Sequence, residues 1–547
     1  MPNKKNCFFP NNFCGNQTPQ KQQPRPSKPA IKPQIKPQIQ QPITQPPIQP
    51  IIKKNSEKRL KKFIAHLNKI ESDLKNDIPF KRDIKYDEFY GNLFTKCLPH
   101  NEKGYVDEKQ MKVYLQALEE QDTDLLAKIQ LGGKGKLINP SSAWNIYSNG
   151  SCIGTFEYPE IPKFSSLEMS FYMVELYCLY LSRDIKFSEY STNPLILQCC
   201  NYLNQFDVSV ISSIKTPSDI FRGDYDFDLK GSYVSQFLLQ DMKIGGFIHK
   251  QKYATYLNDT DFMKTRENVI SAQNGNVLET MPKGRNNQRY LITLRDLASY
   301  VHLDEPYQAF TNAIGVLNNI GATPNTDLLA IAKEIPTEKF FVNFGAPNIY
   351  DTICQVGRIA LTEIWNIKWK TLVARPEAFA ILIDNYFLYN ENPSNLSTEL
   401  LNNPVLDKIL NKNGNRLLPT SYAEGSPAHP SFASGHAVIA GACATVIKFF
   451  YDINFKMTVY NPDENGEKLI KTDETTTIGE ELNKLVSNMG FGRNAAGIHY
   501  RMDAKFGMEL GEEVAISCLK DIVFTYPYSV KVNITKFNGE KVLISNQ

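Results

Sequence analysis

The strongest constraint on this chain is a succession of long segments in which apolar residues recur with the period of an α-helix. The first begins at Ser56, where SEKRLKKFIAHLNKIESDL places four apolar side chains on one face: Leu60, Phe63, Ile64 and Leu67. Segments of this kind fill most of the chain that follows. A body built mainly from packed helices is therefore predicted.

Three later segments carry helix-boundary signals as well as the helical period. In SSLEMSFYMVELYCLYLSRD, either Ser165 or Ser166 is the expected N-cap, with Glu168 close behind. The segment TLRDLASYVHLDEPYQAFTNAIGVLNNIG is typical of a helix pair that ends at Gly321. IYDTICQVGRIALTEIWNIKW is another long helix. All are long enough to bury one face in a common core.

Strand signals are few and lie apart from these helices. They are NIYSNGSCIGTFEY, KMTVYNPDENGEKLIKT and the terminal SVKVNITKFNGEKVLIS. The last two contain Asn465-Gly466 and Asn538-Gly539, dipeptides that favour tight hairpin turns. We therefore predict an all-α fold, a large helical bundle with a few peripheral β-hairpins: an insertion near 456–473 and a terminal hairpin over 528–547.

Residues 1–57 form a separate segment that is rich in Pro, Gln and Lys, as in KPAIKPQIKPQIQQPITQPPIQP. This composition buries no core and favours extended conformers, so a disordered tail is predicted. Residues 58–547 are then a single helical domain that carries the chemistry.

Charge and hydropathy exclude several classes of partner. The formal net charge is only +3, which argues against nucleic acid. No apolar run reaches the length of a membrane-spanning helix, and no apolar stretch of a secretory signal follows the first lysines. The sequence therefore predicts a soluble protein, with the cytoplasm as the default compartment and the true compartment unknown.

Three short segments contain three of the chain's seven histidines together with several fixed charges. The segments are WNIKWKTLVARPEAFA, EGSPAHPSFASGHAVIAGA and GFGRNAAGIHYRMDAKFG. Their candidate site residues are Lys368, Arg375, His429, Ser434, Gly435, His436, Arg493, His499 and Asp503.

The cations of these segments suit a multiply charged tetrahedral oxyanion. Lys368, Arg375 and Arg493 come from separate places in the chain, and the two arginines can each bind two oxygens. Ser434 and Gly435 precede a helical run, so a hydroxyl and backbone N–H groups would face the anion at a helix N-terminus.

The histidines add a nucleophile or metal ligand and a proton donor or acceptor. Asp503 follows His499 by four residues, a spacing that lets its carboxylate orient the imidazole. Each segment alone has an ordinary structural explanation: a solvated helix end, a plain N-cap, or a salt-bridged helix face. The three in this order are far more specific than any one of them.

Together the segments resemble the signature that vanadium-dependent haloperoxidases share with soluble acid phosphatases and membrane phosphatidic-acid phosphatases. Similarity to the haloperoxidases extends over FTKCLPHNEKGYVD, KGSYVSQFLLQDMKIGG, RYLITLRDLASYVHLDEPYQAF and FGAPNIYDTICQVGRIAL, roughly from Tyr90 to Leu519. The branch that it resembles contains algal and cyanobacterial bromoperoxidases.

The resemblance implies a vanadate cofactor and a role for each matched residue. His499 would bond vanadium. The vanadate oxygens would be bound by Lys368, Arg375, Arg493, Ser434 and the Gly435 amide. His436 would exchange the proton, and His429 would lie where halide is activated. The implied reaction uses hydrogen peroxide to oxidise bromide or iodide to hypohalous acid, which then reaches small organic acceptors. A homodimer or higher homo-oligomer is also implied.

The chain departs from this family in places. KTLVA stands where a His-Arg-Arg run is expected, Gly492 stands where many members have serine, and Ala433 replaces a usual proline. Two other functions fit the same residues. One is a phosphomonoesterase in which His499 becomes a phosphohistidine and His436 protonates the leaving alcohol. The other is a catalytically silent structural relative.

Overall fold

A computed structural model of the chain describes residues 51–75, 89–145, 156–208, 216–277, 283–284 and 287–547. Residues 1–50 of the predicted tail and residues 146–155 of the first strand signal lie outside this range. Residues from Lys58 to Gln547 form one compact unit. The described residues hold sixteen α-helices and three two-stranded antiparallel sheets, so the predicted all-α fold with a few hairpins is confirmed.

The helices occupy most of the chain, and four short 3-10 helices lie between them. The α-helices are α1 Ile51–Lys75, α2 Glu108–Glu119, α3 Thr123–Leu126, α4 Leu167–Ser182, α5 Pro194–Leu203, α6 Arg266–Gln273, α7 Leu294–Leu303, α8 Gln308–Ile320, α9 Thr326–Glu334, α10 Ala346–Thr371, α11 Pro376–Tyr389, α12 Thr398–Leu401, α13 Val405–Asn413, α14 Gly435–Phe450, α15 Ile478–Ala495 and α16 Arg501–Val523. The 3-10 helices are Tyr90–Asn92, Pro140–Trp144, Phe187–Glu189 and Gln236–Leu238.

Each sheet is a single hairpin. β1 Met242–Ile244 pairs with β2 Phe247–His249, β3 Lys456–Pro462 with β4 Leu469–Thr477, and β5 Lys531–Thr535 with β6 Lys541–Ser545. The last two hairpins lie where the Asn-Gly dipeptides indicated them, and Gly466 and Gly539 both have positive φ. The first was not predicted, because its strands are too short to show alternation around Gly245-Gly246.

The helix-boundary signals correspond to real caps. Ser166 is the N-cap of α4, where its side chain accepts from the Met169 N–H at 3.1 Å. Gly321 ends α8 in the left-handed conformation, with φ of 68°. Helix α1 begins at Ile51, inside the segment assigned to the tail. The helix thus starts before the periodic apolar residues by which the sequence predicted it.

The apolar residues that we placed on one face of α1 are mostly exposed. Leu60, Ile64 and Leu67 are 57%, 46% and 43% accessible, whereas Phe63 is half-buried. The helix contacts the body through His66, which stacks on Phe524 and pairs with Asp521 at 2.9 Å. Within the described residues, no helix combines the length and apolarity that crossing a bilayer requires.

Helix α14 lies at the centre of the body and packs against α10, α15 and α16. Its contact with α16 is unusually close because small residues line it. A side chain at Gly441 would overlap the Met508 carbonyl, and one at Gly511 would overlap the Val438 carbonyl. This approach brings Ser434, just before α14, to the first turn of α16, where its N–H donates to the Asp503 carbonyl at 3.0 Å.

We expect Gly511→Ala to destabilise the protein. Alanine would gain about 1 kcal/mol of helix propensity. The added methyl group would, however, meet backbone atoms of α14 that cannot rotate away, including the Ala442 nitrogen at 2.8 Å. Overpacking of this kind costs about 1–3 kcal/mol or more, so a net loss is predicted in urea unfolding.

Gly246→Ala is the matched control, because a side chain there meets nothing within 4 Å. Its free energy of unfolding should stay within about 0.5 kcal/mol of the unaltered protein. Equal stability of the two variants would refute the close α14–α16 contact.

Candidate oxyanion site

Lys368 lies in the last turn of α10 and is fully buried. The helix ends because Leu372 adopts the left-handed conformation, with φ of 48°. The Lys368 Nζ donates to the carbonyls of Pro430 and Ser431 at 2.8 and 2.9 Å. The alternative of a solvated helix end is therefore wrong.

Arg375 is the N-cap of α11 and precedes Pro376, whose missing N–H is no loss at the first helical position. Its guanidinium is buried and donates from Nε to the His429 carbonyl at 2.8 Å and from Nη1 to the Ile498 carbonyl at 2.7 Å. The KTLVA segment that departs from the family is also buried. Its Val373 carbonyl accepts from the Ser431 N–H at 2.9 Å, so the segment supports the site.

Ser434 and Gly435 occupy the N-terminus of α14, as predicted. The Ser434 Oγ accepts from the Ala437 N–H at 3.4 Å, which leaves its own hydrogen available for donation. A Cβ at Gly435 would meet only Leu361 and Trp365, at ordinary distances of 3.4 and 3.9 Å. Packing does not demand glycine here, whereas close approach of an anion to the backbone would.

Arg493 lies near the end of α15 and is buried. Its Nη1 donates to the Val301 carbonyl at 2.7 Å and to the Tyr422 hydroxyl at 3.3 Å. Within the described part of the chain, its buried Nε has no hydrogen-bond partner. Packing explains why the neighbouring position 492 is glycine, because a Cβ there would lie 3.0 Å from both Val301 methyl groups.

His499 and Asp503 form a buried pair at the start of α16. The imidazole precedes the helix, and Asp503 lies in its first turn, so the four-residue spacing crosses a helix start. The His499 Nδ1 lies 2.7 Å from the Asp503 Oδ2, which also accepts from Ser431 Oγ at 2.6 Å. This carboxylate fixes the proton on Nδ1 and leaves a lone pair on Nε2, which faces Arg375 Nη1 at 2.9 Å.

The other two histidines have different partners. The His436 Nε2 lies 3.1 Å from Asp304 Oδ1. The His429 Nδ1 lies 3.0 Å from Arg375 Nη2, and its ring packs against Trp365 with centroids 4.8 Å apart. Hydrogen bonds join six of the candidate residues directly or through Ser431: Lys368, Arg375, His429, Ser434, His499 and Asp503. Gly435 follows Ser434 in the chain. Arg493 and His436 bond instead to Val301 and Asp304 at the end of α7, and the charge of Arg493 lowers the pKa of both His436 and His499.

Within the described ranges, Lys368, Arg375 and Arg493 have no matching counter-ion. Among the residues that the structure describes, none of them forms an ion pair with a carboxylate, and their partners are carbonyls, two imidazoles and one phenol. Burial and the neighbouring charge of Arg375 hold the pKa of Lys368 well below its usual range. Burial and the charge of Arg493 lower the pKa of Arg375 to about 9, although Asp503 opposes the shift. Positive charge is therefore in excess, and a bound anion would relieve it.

The same burial and charge keep the imidazoles neutral. Burial, followed by the charges of Arg375 and Lys368, holds the pKa of His499 well below its usual value, and the same causes act on His429. The pKa of His436 is lowered by burial and by Arg493, while Asp304 raises it. Asp304 therefore keeps His436 the most able of the three to take up a proton.

A tetrahedral oxyanion such as vanadate fits this donor set. Lys368, Arg375 and Arg493 supply charge, the unpartnered Nε of Arg493 supplies a donor, and His499 Nε2 supplies a lone pair. The Ser434 hydroxyl and the Gly435 backbone, at the N-terminus of α14, offer further donors of the kind that such an anion takes.

Sequence reasoning missed several residues that hold the site. Ser431 lies inside the second segment, but nothing in its spacing linked it to Asp503. Asp304 is 132 residues from His436 and follows the predicted helix pair's first member without any motif of its own. Tyr422, which bonds Arg493, lies just before the second segment and was not distinguished from a core aromatic residue.

The anion-free protein should lose stability as the pH falls below 6.5. An unfolded histidine takes up a proton near that pH, whereas folded His499 does so only at a lower pH, so protonation favours the unfolded state. His429 and His436 act in the same direction. Urea unfolding at pH steps from 7.5 to 5.5 would measure the slope, and His499→Gln should flatten it. An unchanged slope would contradict the neutral imidazole.

Comparison with known proteins agrees with this geometry. The family model of the VCPO second helical-bundle domain matches residues 411–524, which include α14, α15 and α16. The vanadium-dependent bromoperoxidases of Corallina officinalis and Ascophyllum nodosum are 29% and 28% identical over 82% of this chain, and 90% and 86% of their own lengths.

A solved structure has the same fold. It is the second vanadate-dependent bromoperoxidase of Ascophyllum nodosum, described as homohexameric, with a TM-score of 0.81, 23% identity, and coverage of 93% of this chain and 94% of that one. In sequence over most of its length and in fold, the chain thus resembles the vanadium-dependent haloperoxidases, as its motifs predicted.

Proposed function

We propose that this chain is a vanadium-dependent haloperoxidase that oxidises bromide or iodide with hydrogen peroxide. One observation carries the proposal: three buried cations without carboxylate partners among the described residues act together on the His499 imidazole, whose Nε2 faces Arg375 Nη1 at 2.9 Å. A buried excess of positive charge is costly unless an anion occupies it. The names of the relatives, all vanadium-dependent bromoperoxidases, favour vanadate as that anion.

The proposed vanadate would be held by His499 Nε2, with Lys368, Arg375, Arg493, Ser434 and Gly435 binding its oxygens. When bound, the metal acts as a Lewis acid that polarises peroxide without changing its own oxidation state. The chain's contribution is to neutralise the oxyanion and to exclude water. Asp503 keeps His499 in the tautomer and orientation that present Nε2 to the pocket.

His436 and Asp304 are the proposed proton-exchanging pair. The overall reaction is H2O2 + Br− + H+ → HOBr + H2O, in which bromide loses two electrons and peroxide gains them. One proton must therefore be delivered in every turnover. His436 lies next to the Ser434-Gly435 cradle and is partly accessible, so its imidazole can take a proton from solvent and deliver it to the site.

His429 is the proposed halide-side residue. Its neutral ring lies between the Arg375 guanidinium and the Trp365 indole. An anion that approaches there meets the positive charge of Arg375 and a weakly polar aromatic surface. Such a place suits a large, weakly hydrated halide, and small organic acceptors would meet the product outside.

We also propose the domain boundary and the oligomeric state that the sequence indicated. The domain is expected to span 58–547, preceded by the Pro/Gln/Lys-rich tail, whose last residues, from Ile51, are helical in the structure. A homo-oligomer is favoured because the Ascophyllum nodosum protein of the same fold is described as homohexameric.

One experiment tests the proposed reaction. The protein is loaded with orthovanadate and assayed for bromination of a dye with peroxide and bromide, beside hydrolysis of a chromogenic phosphate. His499→Ala should lower bromination at least ~100-fold, because second-layer changes alone cost 10–100-fold at metal sites. His66→Ala, at a histidine far from the cluster in sequence and outside its contacts, is the control and should retain the activity.

The two alternative functions give different results in the same assay. Phosphate hydrolysis without bromination would favour the phosphomonoesterase, in which the His499 Nε2 lone pair attacks phosphorus. Absence of both activities would favour the silent relative. Either outcome contradicts the proposed haloperoxidase.

Asp304→Asn should move the alkaline limb of the bromination pH profile to lower pH. Asp304 raises the pKa of His436, so its neutralisation lowers that pKa, and the imidazolium is lost at a lower pH. The profile is measured at saturating peroxide and bromide. An unmoved limb would mean that His436 does not deliver the proton.

A further inference from the structure

Arg493 is held less directly than the other two cations of the site. Lys368 and Arg375 each donate to two backbone carbonyls. Arg493 donates to one carbonyl, that of Val301, and otherwise to the Tyr422 hydroxyl at a longer 3.3 Å. The guanidinium carbon also lies 5.1 Å from the centroid of the Tyr422 ring. The orientation of Arg493 therefore depends on where the Tyr422 side chain lies.

Tyr422 is in turn held from two sides. Its hydroxyl donates to the Ala298 carbonyl at 2.8 Å, which fixes the far end of the ring. The plane of the ring is fixed by stacking on the His302 imidazole, with centroids 3.7 Å apart and an interplanar angle of 13°. Tyr422 is fully buried, so no solvent contact competes with these two.

His302 cannot turn, because both of its nitrogens have partners. The Nδ1 lies 2.5 Å from the Tyr256 hydroxyl, and the Nε2 lies 2.8 Å from Glu424 Oε1. Glu424 is anchored through its backbone, whose carbonyl accepts from Lys96 Nζ at 2.8 Å. Burial alone would raise the pKa of Glu424, yet the hydrogen bond from His302 and the charge of Arg493 lower it, so the carboxylate is charged.

We infer that His302 and Glu424 are positioning residues of the oxyanion site, which act through the Tyr422 ring on Arg493. The inference rests on the proposed function only in requiring that an oxyanion occupies the pocket. The hydrogen bonds and ring contacts of both side chains, as far as the chain is described, are with residues other than the nine candidates. Their effect is to remove the rotational freedom that Arg493 would otherwise lose on binding its anion.

Equilibrium binding of orthovanadate, measured by isothermal titration calorimetry, tests this role without any turnover. His302→Ala removes the stacked ring and both hydrogen bonds. We expect its Kd for orthovanadate to rise about tenfold. Glu424→Gln, on a different segment, keeps a hydrogen-bonding group but loses the charge, so its Kd should rise about two- to fivefold, which is the effect of one weakened contact.

The chain offers a closely matched control. His66 also stacks on an aromatic ring, that of Phe524 at 4.3 Å, and also pairs with a carboxylate, that of Asp521 at 2.9 Å. His66→Ala therefore removes the same kind of contacts away from the site. Its Kd for orthovanadate should equal that of the unaltered protein, and a rise equal to that of His302→Ala would overturn the inference.

A double-mutant cycle with Arg493→Lys separates positioning from general loosening. Lysine keeps the charge but does not make the same contacts with Tyr422, so His302→Ala should have little further effect on the Kd in that background. Fully additive effects would overturn the inference, since His302 would then act independently of Arg493. Thermal unfolding of each variant confirms that the compared proteins are folded.

Different experimental results would overturn this inference and the proposed function. If the unaltered protein binds orthovanadate but brominates nothing, the haloperoxidase proposal fails, and a tenfold effect of His302→Ala still supports positioning. If bromination is normal and His302→Ala binds orthovanadate as tightly as the unaltered protein, only the positioning role fails. If the unaltered protein binds no orthovanadate, both are overturned.

Discussion

The site depends on the repulsion between buried cations that main-chain carbonyls, rather than carboxylates, hold in place. A carboxylate beside Lys368 or Arg375 would neutralise the pocket and remove its attraction for an anion. Carbonyls solvate the cations without cancelling their charge. The Asp503 carboxylate, which contacts His499, also accepts from Ser431 and from the Tyr500 N–H. The remaining charge is therefore left for a ligand.

The close helix packing has a direct role in assembling this site. Helix α14 begins at Gly435, directly after Ser434, and α16 begins at Arg501, two residues after His499. The distance between these helices therefore sets the distance between Ser434 and the imidazole. Small residues at Gly441 and Gly511 allow the two backbones to touch. A larger separation would pull the helix N-terminus away from His499. The fold and the chemistry are thus coupled through two glycines that carry no chemistry themselves.

Helix ends and the His499–Asp503 pair could be predicted from the sequence because they depend on residues close together in the chain. Ser166 and Gly321 mark helix ends by chemistry that acts within one turn, and the spacing of His499 and Asp503 brings their side chains together even though a helix begins between them. Long-range partners could not be predicted. Asp304 meets His436 because α7 packs against α15, which itself packs against α14. The exposure of Leu60 on α1 depends on which face of that helix the body covers.

The segment 429–431 offers main-chain oxygens to two cations at once. Main-chain oxygens are the same in every amino acid, so point substitution cannot delete them. The carbonyl contacts of segment 429–431 with the cations therefore do not depend on which side chains the segment carries. The side chains of His429 and Ser431 can change while these contacts remain. Evolution could therefore retune which small anion or acceptor meets the pocket without first dismantling the charge that makes the pocket bind.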